Sequence, residues 1–256
     1  MEVTLKSRLK EVLKKGDCAL GVFCSINAPS IVEILAISGL DFVVIDMEHG
    51  PINVESIENM VRSAEIYGIT ALVRIPDYDN KLIGRLLDIG AHGVQVPMVH
   101  TAERAAEVVR AGKYAPMGVR GMSAGRGPKW GGIENYREIA NRELTTVCMC
   151  ESKEAVDNIE EIVKTPGLDI IFIGAVDLTQ SLGCPGEVSN PVVEQHIQRV
   201  LKACQNAGVY PGIVTSGVEE AHMRIKQGFR YVSIMNDMRL MITTISKMVS
   251  DVKEIF

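Results

Sequence analysis

Residues 42–51 read Phe42–Val43–Val44–Ile45–Asp46–Met47–Glu48–His49–Gly50–Pro51: four apolar residues, then acids, a histidine and a turn. A continuous apolar run of this length suits a strand covered on both faces. Such a strand has no structural use for carboxylates at its far end, because burying a charge is costly unless it is paired or metal-bound. The pattern recurs. Ala71–Leu72–Val73 ends in Arg74, Thr145–Thr146–Val147–Cys148 ends in Glu151, and Ile170–Ile171–Phe172–Ile173 ends in Asp177. Charges gathered at one end of a set of parallel strands read as an active site.

Working outward, candidate strands fall at 19–26, 42–48, 70–76, 93–99, 145–151, 170–177, 209–215 and 231–237. Helical patterns lie between them at 30–38, 54–67, 78–88, 101–111, 154–163, 191–207, 217–227 and 239–250, and a further helix at 4–15 precedes the first strand. Gly39, Gly68, Gly90, Gly112, Gly208 and Gly228 stand where helices should stop. Eight strands alternating with eight helices predict a (β/α)₈ (TIM) barrel, one domain over residues 1–256, with an extra N-terminal helix. The rival, an open doubly wound sheet, lacks a G-x-G-x-x-G after its first strand. One connection is long, residues 113–144 after strand four, and a loop of that length reads as a lid or a subunit contact. Catalytic groups in a barrel come from the C-terminal strand ends. Glu48 and His49, Arg74, Glu151 and Asp177 are therefore expected to converge on one rim.

The bulk numbers narrow the function classes. The 256 residues are 46% hydrophobic and 23% charged with net charge −5, and the charges are interspersed. No basic footprint for nucleic acid is present, and no run of about 18 apolar residues suits a membrane span. The Lys/Glu-rich stretch Met1–Leu20 does not read as a signal peptide, so a soluble, cytoplasmic protein is expected. Cys148 and Cys150 form a C-x-C in a strand. Taking their side chains to point to opposite faces, and with no His or Cys knuckle nearby, that spacing disfavours a shared metal. All six cysteines are expected as reduced thiols.

Glu151 and Asp177, on neighbouring strand ends, suit a hard divalent cation, leaving octahedral positions for water and a chelating substrate. Gly174, Gly183 and Gly186 would let backbone amides approach an anion. The alternative is that Glu151 caps the following helix and Asp177 caps a turn. Arg74 would hold an anionic oxygen or else pair with a rim carboxylate. His49 is the histidine placed for proton transfer, with Asp46 and Glu48 orienting it, adding charge around it, or capping the next helix. No candidate strand contains a lysine, which argues against imine catalysis. There is no G-x-S-x-G, Walker loop or H-E-x-x-H either. In the long loop, Gly125–Arg126–Gly127 is a weak phosphate signal and reads better as a flexible lid, while Arg120, Arg126 and Lys129 would bind a distal substrate carboxylate or serve an interface.

The phrases PSIVEILAISGLDFVVIDMEHGP, LVRIP, LLDIGAHGVQVPMV, YAPMGVRG, ESKEAVDNIEEI and GLDIIFIGAVDLTQSLGCPG resemble the HpcH/HpaI aldolase family over about residues 19–240. The resemblance implies a metal-dependent class II aldolase acting on pyruvate and an aldehyde. Mg²⁺, Mn²⁺ or Co²⁺ would be held by Glu151 and Asp177, and Arg74 would stabilise the enolate oxygen. His49 would be paired with Asp88. Substrate contacts are expected from Arg74, Gly174, Ala175, Val176, Asp177 and Val214. A hexamer built from dimers that exchange their last helix is also implied. Asp88 ends a helix running back toward the opposite face, so a pair with His49 is expected to form across a subunit interface. The chain departs from the family at Met149, where a Gln is common two residues before the Glu, at Ala175 in place of Pro, and at Met235 in place of a Gly. These changes touch the pocket wall more than the carboxylates. Another enolate condensation on the same scaffold, citrate-synthase-like or decarboxylative, is therefore the alternative activity, and a non-catalytic oxo-acid-binding paralogue is the alternative outside catalysis.

Overall fold

The computed structural model describes residues 5–254, and in it every apolar run quoted above lies within a buried parallel strand. The strands are β1 (Ala19–Cys24), β2 (Phe42–Asp46), β3 (Thr70–Arg74), β4 (Gly93–Val96), β5 (Thr145–Cys150), β6 (Ile170–Ile173), β7 (Tyr210–Thr215) and β8 (Tyr231–Asn236). They pair in sequence order and β8 closes on β1, giving the (β/α)₈ barrel expected from the sequence. The helices are α1 (Arg8–Lys14), α2 (Pro29–Ile37), α3 (Val54–Tyr67), α4 (Asn80–Asp88), α5 (Ala102–Gly112), α6 (Tyr136–Glu143), α7 (Lys153–Asp157), α8 (Ile159–Ile162), α9 (Ala175–Ser181), α10 (Pro191–Ala207), α11 (Val218–Gln227) and α12 (Asp237–Lys253). Asn53, Asp79, Thr101 and Ser152 start α3, α4, α5 and α7 by accepting a hydrogen bond from a first-turn N–H.

Strand alternation separates two cores. Outward residues such as Val43, Ile45, Val73, Val94, Ile171 and Val232 pack in the layer that includes helix residues. Inward residues Phe23, Phe42, Val44, Leu72, Val147, Met149, Ile170, Phe172 and Tyr231 fill the barrel. Leu9 and Leu13 of α1 join this inner set, and the Leu9 N–H donates to Thr70 Oγ1 at 3.0 Å, so the extra helix plugs the N-terminal mouth. Burying each leucine there contributes about 2 kcal/mol. Phe42 and Tyr231 stack at 4.1 Å between centroids, and the Phe42 ring occupies the space that a Cβ on Gly21 would need. Gly21→Ala is therefore expected to destabilise the fold by about 1–3 kcal/mol. Denaturant titration should show the loss, and Phe42→Leu should recover part of it in the double variant; a neutral Gly21→Ala would contradict this packing.

The structure corrects several sequence expectations. β6 stops at Ile173, and Asp177 lies not on a strand but in the first turn of α9. The 154–163 pattern is broken into α7 and α8, and α6 lies within the stretch expected to be loop. The first helix begins at Arg8; residue 4, its expected start, lies outside the described residues. Cys148 and Cys150 share the outward face of β5, as residues two apart on a strand must, and both are buried free thiols. Met235 takes φ 57, the left-handed conformation that favours glycine. Among the described residues no helix is long and apolar enough to cross a membrane.

His92, beneath β4, is buried and accepts the Ala71 N–H on Nδ1 at 2.9 Å, which requires that nitrogen to be unprotonated. Burial, only partly opposed by Glu65, lowers its pKa from 6.5 to about 4. The unfolded chain thus binds the extra proton between those values, and stability is lost as pH falls through that window, by roughly 3 kcal/mol. His92→Asn keeps an acceptor at the position of Nδ1 for Ala71 without titrating, so its stability curve between pH 6.5 and 4 should be flatter than that of the wild type. Parallel curves would contradict the assignment.

Candidate active site

The site grows from the inward residues at the C-terminal strand ends. Asp46 and Arg74 are register partners on β2 and β3. Arg74 donates from Nε to Asp46 Oδ1 at 2.9 Å and from Nη2 to Asp46 Oδ2 at 2.7 Å, a bidentate pair. Its Nη1 lies 3.0 Å from Glu48 Oε2, and its guanidinium sits 4.7 Å from the centroid of the Phe23 ring. Asp46 also accepts the N–H groups of Glu48 and His49 and the Ser25 hydroxyl. Burial raises the Asp46 pKa, but Arg74 and the two N–H donors outweigh it and hold the carboxyl below its ordinary range. Asp46 thus shapes the turn and fixes the arginine, while Asn53 rather than either acid caps α3.

Glu151 directly follows β5 and is buried. Ser152 rather than Glu151 caps α7. The Met98 N–H, on a residue with φ 54, donates to Glu151 Oε1 at 2.6 Å. A Cβ on Gly174 would come within 2.6 Å of Glu151 Oε2, so only glycine lets the end of β6 pass this carboxylate. Burial, reinforced by the charges of Asp177 and Glu48, pushes the Glu151 carboxyl up to about 7 against the Met98 hydrogen bond. Burial likewise raises Glu48 despite Arg74, with Asp46 and Asp177 adding to the shift. Carboxylate oxygens from buried Glu151 and exposed Asp177, with half-buried Glu48 already engaged by Arg74, gather negative charge and hard donors at the rim. That set fits a hard divalent cation. Among the described residues no group of three or more His, Cys, Asp or Glu converges in metal-ligating fashion, so other positions around such an ion would fall to water and a chelating ligand.

His49 is exposed on the turn after β2, close enough to Glu48 to lower its pKa. Ala175 is buried, Val176 is exposed on α9, and Val214 is half-buried near the end of β7. Asp88 and Arg120 do not join this rim. Asp88 ends α4 and pairs with Arg120 Nη2 at 2.7 Å, while the Arg120 guanidinium stacks 4.6 Å from the centroid of the Tyr114 ring. Arg126 and Lys129 both pair with Glu65 near the end of α3. Helix α5 carries the chain back to the N-terminal face before the long loop begins, so the loop crosses the underside of its own barrel. It is not a lid over its own rim, and its arginines do not reach a substrate there.

Sequence reasoning missed three supports of the site. Asp237, buried at the start of α12, accepts the N–H groups of Ser25 and Ile26 and so fixes the end of β1. Ser25 and Met98 act on Asp46 and Glu151 from loops with no periodic signal.

Comparison with known proteins agrees with this geometry. The family model described as HpcH/HpaI aldolase/citrate lyase matches residues 19–244. The 2-keto-3-deoxy-L-rhamnonate aldolase of Escherichia coli (strain K12) is 35% identical over 242 residues, 94% of this chain and 91% of that protein. A crystal structure of a HpcH/HpaI aldolase/citrate lyase family protein from Burkholderia cenocepacia J2315 superposes with TM-score 0.92 at 30% identity, covering 97% of this chain and 100% of that one. The crystal structure of the citrate synthase SbnG superposes with TM-score 0.88 at 32% identity, covering 96% of this chain and 97% of that one. With the barrel, the rim carboxylates and the paired arginine in place, the chain belongs to the HpcH/HpaI aldolase/citrate lyase family.

Proposed function

We propose that the protein is a divalent-metal-dependent class II aldolase that reversibly cleaves a 4-hydroxy-2-oxo acid to pyruvate and an aldehyde. The observation that carries this reading is buried Glu151, near enough to the charge of Asp177 for its carboxyl to be raised, beside an arginine held in a bidentate pair by Asp46. Glu151 and Asp177 would hold Mg²⁺, Mn²⁺ or Co²⁺, which when bound supplies Lewis acidity toward the keto group. Arg74 has N–H groups left over from its bonds to Asp46 and Glu48, and these stabilise the keto oxygen as it becomes negative. His49 takes the proton of the 4-hydroxyl as the C3–C4 bond breaks and its electrons pass into the enolate. Protonation at C3 then gives pyruvate. Gly174, Ala175, Val176 and Val214 form the wall.

The assembly completes the reading. From Met241 to Lys253 every residue of the last helix is exposed. It presents Met241, Ile245, Met248 and Val252 as one apolar stripe at helical spacing. We take α12 as the element exchanged between subunits of a cytoplasmic homo-oligomer, a hexamer by the family resemblance. In that assembly Asp88, held by Arg120 on the underside of one barrel, meets His49 of a neighbour. Truncation before Met241 is expected to lower the solution mass to the monomer while circular dichroism is retained; a wild-type protein that is already monomeric would sink this part.

The substrate test is metal-dependent pyruvate release, first from 2-keto-3-deoxy-L-rhamnonate, the substrate in the name of the Escherichia coli relative, then from other 4-hydroxy-2-oxo acids. No release with any of the three metals would defeat the aldolase reading. A citrate-synthase-like condensation is the second reading, favoured by the likeness to SbnG and by the apolar Met149 beneath Glu151.

A further inference from the structure

Inside the barrel, one polar side chain has no evident structural task. Gln95 on β4 is fully buried, and its Nε2 is sealed from solvent without a hydrogen-bond partner. Its Oε1 accepts the Tyr231 hydroxyl at 3.1 Å, which leaves Nε2 as the unpaired end of the amide. A buried amide left half-satisfied is destabilising relative to an apolar residue of the same shape. An apolar barrel has no reason to keep one unless it meets a partner in the working state.

The register says where that partner sits. Gln95 pairs directly with Arg74 on β3 and with Val147 on β5. Its inward neighbours are therefore Leu72 and Arg74 on one side, Val147 and Met149 on the other. Leu72, Val147 and Tyr231 close the space below and across. Thr145 Oγ1, one inward step lower on β5, also lacks a partner, yet no hydrogen bond joins it to Gln95. Above this level on β5 come Met149 and then Glu151, so the rim lies one inward step beyond Gln95. Met149 is unbranched, so its thioether can move aside at little cost.

We propose that Gln95 is a specificity-determining residue, whose free Nε2–H₂ donates to an oxygen of the 2-oxo-acid substrate at the floor of the site. This rests on the aldolase reading. It predicts opposite signs for two measurements on one variant. Gln95→Leu combined with Tyr231→Phe should leave the melting temperature unchanged or raise it, because the orphan donor is removed together with the hydroxyl that bonds Gln95 Oε1. The same variant should weaken pyruvate binding, measured by calorimetry with Mn²⁺ present, and raise KM by about tenfold with kcat within about twofold, the signature of lost ground-state contact. Gln95→Met with Tyr231→Phe, close in volume and flexible, gives the same comparison if the leucine variant fails to fold. Unchanged pyruvate affinity in a stabilised variant would overturn the inference, since the amide would then face only an internal water. Wild-type protein that binds no 2-oxo acid would instead overturn the aldolase reading itself, and this inference with it.

Discussion

An Asp177→Ala variant is expected to lose metal-dependent turnover by about three orders of magnitude or more, the several kcal/mol that Lewis-acid stabilisation supplies. The residue lies in the first turn of α9 and is exposed, so its removal leaves no cavity and the fold should keep its melting temperature. Mn²⁺ binding, followed by electron paramagnetic resonance, should weaken in parallel with activity. Glu151→Gln should do the same to metal and turnover while relieving a carboxyl that burial already pushes up to about 7. Without metal, that variant should be at least as stable as the wild type at neutral pH. Near-normal turnover and Mn²⁺ affinity in either variant would remove both residues from the metal assignment.

The second large effect concerns Arg74, where catalysis and stability must be separated. Arg74→Ala should lower kcat by about 10²–10³, the usual scale for removing a donor to a developing oxyanion, with little change in KM. It also strands Asp46, which is only 2% exposed, and breaking a buried ion pair by deleting one partner costs about 3–5 kcal/mol. The double variant Asp46→Asn, Arg74→Met removes both charges and should recover much of that stability without recovering turnover. Arg74→Lys keeps a charge but cannot bridge both Asp46 oxygens and Glu48 at once, so it should fold well and remain slow. If Arg74→Lys turned over at the wild-type rate, the fork geometry would have no catalytic part.

The barrel was legible because its strands are continuous apolar runs punctuated by glycines, and parallel pairing needs nothing more specific. Asp46, Arg74 and Glu151 were legible for the same reason: inward positions at strand ends follow from alternation once the strands are found. Asp177 was found as a residue but misplaced as an element, because the apolar run of β6 passes through Gly174 into Ala175–Val176 without a break in hydropathy. Of the two readings of the long loop, a lid or a subunit contact, a lid over its own rim is the one the structure removes, since length alone does not say at which end of the barrel a connection lies; the position of α5 does. Met98, Ser25 and Asp237 were invisible because each acts through a contact between segments distant in sequence. Gln95 carries no charge or spacing signal in the sequence, and only the pairing with Arg74 and the unmet Nε2 give it meaning.

The central claim is that this rim enolises pyruvate with the help of a divalent ion. Proton NMR of pyruvate in D₂O tests it most directly, with chelated protein and again after adding Mg²⁺ or Mn²⁺. Loss of the methyl signal by deuterium exchange is expected only when metal is present, with much slower exchange in Arg74→Lys. A methyl signal that persists with every metal would mean that pyruvate is not the nucleophile, and the aldolase mechanism built on Glu151, Asp177 and Arg74 would fall.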